Sequence, residues 1–186
     1  MINSLYPMFQ RWSAWGSVWL YSDPHFGDEA MIKYFNYPSA EEQVKNIRKV
    51  VGKNDTLIIL GDIGNELKWI EQLRGYKVLI KGNHDTSMKK ELGYLFDEVY
   101  EGPVFVAQKL ILSHEPLPFI NYALNIHGHN HAGEPNDLYH YNVAANAINF
   151  QPVNLGKLIK DGALSHIQDI HRITINEAAK RVHNNG

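Results

Sequence analysis

The chain has 186 residues, 44% of them hydrophobic and 20% charged, with a formal net charge of −2 and no cysteine. That length suits one self-sufficient core, and the missing cysteines exclude disulfides and thiolate metal sites, as a reducing cytoplasm would allow. The charge argues against a broadly basic nucleic-acid surface, no apolar run reaches membrane-spanning length, and residues 1–16 lack the basic-then-apolar order of a secretory signal.

In chain order, Tyr6, Phe9, Trp12 and Trp15 mark residues 1–16 as an aromatic arm or short helix that packs on the body or on another copy, so a homo-oligomer is one expectation. Val18–Tyr21 reads as a first strand. Ser39 to Val51 reads as a helix: Ser39 is its N-cap, Glu42 follows three residues on, and Val44, Ile47, Val50 and Val51 share a face. Thr56 to Leu60 is an apolar, buried strand; Glu66 to Leu73 a helix; Lys77–Ile80 a strand; Lys89–Phe96 a short helix. Val104–Ala107 and Lys109–Leu112 are two strands joined by a tight turn at Gln108. Ala123–Ile126, Tyr139–Val143 and Ala147–Phe150 are further strands. Asn154 caps a helix through Ile159, and Arg172 to Asn184 is weakly helical, with Asn176 as a cap. Alternating β and α elements followed by strands predict an α/β layered sandwich with a mixed sheet or two packed sheets.

Asp23-Pro-His25 follows the first strand, Gly61-Asp62 the second and Gly82-Asn83-His84-Asp85 the third. His114 and His127-Gly-His129-Asn-His131 follow two later ones. In α/β sheets the carboxyl ends of strands line the ligand crevice, so five remote segments can converge there. Carboxylates, imidazoles and an amide oxygen without thiolates suit Mn²⁺, Fe or Zn²⁺. Gly61, Gly82 and Gly128 let the backbone approach the ions closely. Each piece alone reads as a turn or a structural histidine; the ordered set is what points to a metal centre.

In that order the segments resemble the calcineurin-like metallophosphoesterase superfamily. Ser22-Asp-Pro-His-Phe-Gly-Asp28, the Tyr37-Pro38 pair and the helix at Asn154-Leu155 are similar to its small stand-alone bacterial and phage phosphoesterases. The resemblance implies an αββα sandwich with two packed mixed β-sheets over residues 17–164, an N-terminal arm over 1–16 and a C-terminal extension over 165–186. It implies that Asp23, His25 and His131 bind one metal, that Asn83, His114 and His129 bind the other, and that Asp62 bridges both. His84 would serve the leaving group, with Asp85 orienting it. The cofactor expected is a pair of divalent ions, Mn²⁺ first, with Fe or Zn²⁺ as alternatives.

The implied function is attack of a metal-bridging hydroxide on a phosphomonoester or phosphodiester of a small molecule or nucleotide, in the cytoplasm and away from membranes. A nuclease of the same superfamily is one alternative, but Lys89-Lys90 and the arm make a thin basic track. A silent metal-binding scaffold is another, but the chain keeps every ligand and His84. Ile63-Gly64-Asn65 after Asp62 departs from the pattern of Ser/Thr protein phosphatases, and the metallo-β-lactamase motif His-x-His-x-Asp-His is absent. His127 is expected to support the site or pack inside; His140, His166, His171 and His183 read as ordinary residues.

Overall fold

Thr56-Leu-Ile-Ile59 is buried at every position and apolar from Leu57 on, so the strand needs cover on both faces. The computed structural model supplies it by placing that strand between a second sheet and a layer of helices. The structure describes the chain apart from residues 1–2, 5, 86–88, 133–135, 169, 171, 173, 176, 178–179 and 181–186.

In chain order the elements are β1 (Asn3–Ser4), α1 (Tyr6–Trp12), β2 (Val18–Tyr21), α2 (Glu29–Phe35), α3 (Ala40–Val50), β3 (Thr56–Ile59), α4 (Lys68–Glu71) and β4 (Tyr76–Ile80). They continue with α5 (Lys89–Leu95), β5 (Glu98–Tyr100), β6 (Val104–Ala107), β7 (Leu110–Leu112), β8 (Leu124–His127), β9 (His140–Asn142), β10 (Val153–Asn154) and α6 (Leu155–Lys160). One five-stranded sheet runs β10-β2-β3-β4-β5, parallel except for antiparallel β10. The other runs β1-β6-β7-β8-β9, parallel except between β6 and β7. Both sheets are mixed, as expected.

Alternation along the strands assigns the faces. Leu20, Ile58, Leu60, Val78 and Ile80 meet Val104, Val106, Leu112, Leu124 and Ile126 of the other sheet in the central core. Leu57, Ile59 and Leu79 point the other way, onto Val44 and Ile47 of α3 and Ile70 of α4. Each such side chain taken from water contributes about 1.5–3 kcal/mol. The Ser39 hydroxyl accepts from Glu42 N at 3.2 Å, the cap its spacing predicts. Asn154 caps α6 by accepting from Lys157 N at 2.9 Å.

The N-terminal arm packs on the body: Trp12 lies in the central core with Phe9 against it, and its indole Nε1 donates to Glu98 at 3.2 Å. Trp15 stays exposed.

Two expectations need correction, and four short elements have no counterpart in the sequence pattern. Ala147–Phe150 is a run of turns, not a strand. Ala147 N and Ile148 N donate to Ala144 O, Phe150 N donates to Ala145 O, and Asn149 and Phe150 have positive φ, so their amides are spent locally. The stretch after Phe26, to which the sequence pattern assigns no element, contains α2, which Asp28 caps by accepting from Ala30 N and Met31 N. The helix expected over Glu66–Leu73 shortens to α4. Edge strands β1, β5 and β10 carry too few apolar residues to be seen in the pattern. Toward the C-terminus, residues 172, 174–175, 177 and 180 are helical, while the cap at 176, residues 181–184 and His171 and His183 lie outside the described residues. No helix among the described residues is long and apolar enough to cross a membrane.

Candidate metal centre

Parallel β2, β3 and β4 end side by side, so the turns after them reach one rim. These turns are tied by backbone bonds: Asp23 N donates to Gly61 O at 3.0 Å, and His25 N to Asp62 O at 3.1 Å. From the other sheet, Gly128 N donates to His114 O at 2.9 Å. Buried Gln43 of α3 receives the Tyr21 hydroxyl and donates to Pro24 O at 3.1 Å, which pins the first turn from behind.

The backbone is strained here. Asp23, His25, Asp62 and His129 have φ of 56°, 46°, 53° and 63°, a region side chains other than glycine seldom adopt. Such residues persist where surrounding contacts over-determine them, and they gather at functional sites. Gly61, at φ 87°, has no room for a Cβ, which would come within 2.5 Å of Gly82 N.

Two donor sets result. In one, His114 Nε2 lies 3.3 Å from Asp62 Oδ2, 2.9 Å from Asn83 Oδ1 and 3.1 Å from His129 Nδ1, with His129 Nδ1 3.1 Å from Asn83 Oδ1. Atoms bound at about 2.0–2.2 Å to one cation stand roughly 2.9–3.5 Å from each other, so this set has the spacing of a coordination shell. Electron-rich atoms at such separations repel unless a cation or a proton lies among them. The other set is Asp23, His25 and His131, whose ligand atoms lie within 4.8 Å of each other. His131 Nε2 is 3.5 Å from Asp23 Oδ1. Asp23 Oδ1 and His25 Nε2 are buried without a hydrogen-bond partner, although burying a polar atom unpaired is costly. Asp62 Oδ2 lies between the sets, 3.8 Å from His25 Nε2 and 3.3 Å from His114 Nε2. The oxygen-and-nitrogen donors and the orphaned atoms fit two divalent cations.

Protonation reflects the same crowding. Burial pushes the Asp23 carboxyl up to about 7, against the pull of His114 and the Ser22 and His129 hydrogen bonds. Burial alone would lower His114, but Asp62, Asp23 and the Leu60 carbonyl outweigh it and hold the imidazole up to about 9. Burial raises Asp62, yet the hydrogen bonds from His114 and His84 N bring it below the usual carboxyl range. Burial lowers His25 and His131.

His84 is exposed, with Nε2 4.0 Å from Asp62 Oδ2 and its ring 5.8 Å from that of His25. It stands at the open mouth beside both sets. The expectation that Asp85 orients His84 is corrected: the buried Asp85 carboxylate accepts from Asp62 N at 2.8 Å, Ile63 N at 3.0 Å and Gly82 N at 2.8 Å. Those amides occupy both oxygens, so Asp85 holds the Asp62 turn. His127 is buried, with Nδ1 2.8 Å from Gly128 O. His140 bonds Asp137 and Leu117 O away from the donor sets.

Two supporting residues lacked a sequence signal for their role. Tyr37 OH lies 3.0 Å from His131 Nδ1, and Asn146, in the segment misread as leading into a strand, meets both. A cavity of about 260 Å³ opens from Asn83 and His114 and is lined also by Lys81, Glu101, Ser113 and Leu117.

The sequence profile of the calcineurin-like phosphoesterases matches residues 16–179. The chain is 33% identical over 169 residues to the uncharacterized protein MJ1445 of Methanocaldococcus jannaschii, covering 77% of this chain and 89% of that protein. It is 38% identical over 82 residues to the Gene 66 protein of Mycobacterium phage L5, covering 37% of this chain and 40% of that one. The crystal structure of AQ665 from Aquifex aeolicus, titled as a protein of unknown function, superposes with a TM-score of 0.60 at 25% identity, over 77% of this chain and 98% of that chain. A profile match across most of the chain, joined to a relative one-third identical along most of its own length, makes this chain a member of the calcineurin-like phosphoesterase family.

Proposed function

We propose that the chain is a two-metal hydrolase of phosphomonoesters or phosphodiesters of small molecules or nucleotides. The observation that carries this reading is the pair of donor sets sharing Asp62, with buried Asp23 Oδ1 and His25 Nε2 left unpartnered. Asp23, His25 and His131 would hold one cation, Asn83, His114 and His129 the other, and Asp62 would contact both. Two bound divalent cations would supply Lewis acidity to the phosphoryl oxygens and acidify the attacking water.

The chain's own residues do the rest. Asp62 sits on a backbone clamped by Asp85, so its carboxylate needs no rearrangement when substrate arrives. His84, exposed at the mouth, can reach a leaving oxygen and donate a proton or hydrogen bond to it. The cavity beyond Asn83 and His114 offers room for the organic part of the substrate. Manganese is the first ion to try, because hard and borderline oxygen and nitrogen donors without sulfur accept it readily.

The test is hydrolysis of an aryl phosphate monoester against a diester, then nucleotides and cyclic nucleotides, with Mn²⁺ and after chelation. Metal-dependent turnover of one class is the expected result. Two bound ions per chain with no turnover of any of these esters would favour the silent scaffold.

A further inference from the structure

Tyr37, Asn146 and His131 form a closed ring of hydrogen bonds, and only one placement of the protons satisfies all three contacts at once. Asn146 Nδ2 donates to His131 O at 2.8 Å, which fixes the amide with its oxygen facing Tyr37. That oxygen can only accept, so the Tyr37 hydroxyl, with its single proton, donates to it at 3.3 Å. The hydroxyl oxygen then has only lone pairs to offer His131 Nδ1, 3.0 Å away, so the ring is complete when Nδ1 carries the hydrogen. A neutral imidazole with its hydrogen on Nδ1 has a bare Nε2. That is the atom facing unpartnered Asp23 Oδ1.

We infer that Tyr37, held by Asn146, is a positioning residue that sets the tautomer of His131 and so prepares the Asp23–His25–His131 site for a cation. The inference rests on the two-metal reading of the centre. The second site has its own device: His114 Nδ1 donates to Leu60 O at 2.7 Å, leaving Nε2 for Asp62 and Asn83. A backbone carbonyl cannot be substituted away; a phenol hydroxyl can. The Tyr37 ring also packs on Phe150, 5.0 Å between centroids, so Tyr37→Phe removes the hydroxyl and leaves this packing in place.

The experiment compares wild type, Tyr37→Phe and Asn146→Ala. The first readout is the ¹⁵N spectrum of the His131 ring in metal-free protein. The second is Mn²⁺ titration, resolving two binding steps. In wild type, His131 should show the Nδ1–H tautomer. In Tyr37→Phe, that tautomer should lose its dominance, and one binding step should weaken about 10–100-fold while the other holds. Asn146→Ala should act in the same direction. An unchanged His131 spectrum with both steps intact in Tyr37→Phe would overturn the inference. Loss of both steps in that variant would also overturn it, by pointing to a general packing role. If wild type binds no metal, the two-metal reading fails on its own, and the metal-free spectrum still decides whether Tyr37 sets the tautomer.

Discussion

Replacing Asp85 with asparagine tests the clamp beneath the Asp62 turn. Asp85 accepts three backbone amides at 2.8–3.0 Å and is buried. Asparagine keeps the shape but offers one accepting oxygen. If that oxygen takes the place of Oδ2, the amides of Asp62 and Gly82 keep a partner, and the new amide group faces Ile63 N. One buried donor left unpaired costs about 1–3 kcal/mol, and two bonds that lose their charge weaken by roughly 1 kcal/mol each. The sum, about 3–5 kcal/mol, is a large share of the stability of an ordinary domain. Urea unfolding of the metal-free protein should show it as a lower midpoint at unchanged slope. Metal titration should show weaker binding at both sites, because Asp62 sits at φ 53° only while its amide is held. If Asp85→Asn loses less than about 0.5 kcal/mol, binds metal normally and yet turns over slowly, the clamp argument is wrong and Asp85 acts through His84 after all.

Asp62→Asn should weaken both metal sites together, since Oδ2 lies between them; normal metal content with a wild-type rate would contradict the shared-ligand reading. His84→Ala should keep both ions and lose about 10²–10⁴-fold in rate, most for the substrate with the poorest leaving group; loss of metal instead would make His84 a ligand. The metal-free protein should also lose stability as pH rises. Asp23 near 7 stands above its unfolded value of about 4, and His114 near 9 above its unfolded value of about 6.5. The folded chain then holds more protons than the unfolded chain, so their contribution is present at low pH and fades as pH rises through the folded values. Cations need the deprotonated ligands, so their binding strengthens over the same range. The stability gap between Mn²⁺-loaded and chelated protein should widen from pH 7 to 9, by at most about 1.4 kcal/mol per unit for the His114 proton. A constant gap in paired thermal melts would show that His114 holds no such proton.

Much of this molecule is written in local pattern. The short apolar run Leu57–Leu60 reads as a strand covered on both faces, and the period of Val44 and Ile47 gives α3 one apolar face to bury, because alternation and helical faces are imposed by backbone geometry. The ligands were legible for a related reason: parallel strands end together, so polar residues placed just after apolar runs must share a rim. The pattern misread one local turn, and it could not reach anything fixed by partners distant in sequence. Ala147–Phe150 looks like a strand, but amide bonds back to Ala144 and Ala145 turn it. Asp85 lies beside His84 in sequence, yet its carboxylate serves Asp62, 23 residues away. Tyr37 and Asn146, 109 residues apart, converge on His131. Composition and spacing thus determined which residues could bind a cation and at which end of the sheets. The direction each carboxylate or imidazole faces depends on hydrogen-bond partners remote in sequence, and only the packed chain brings those partners within reach.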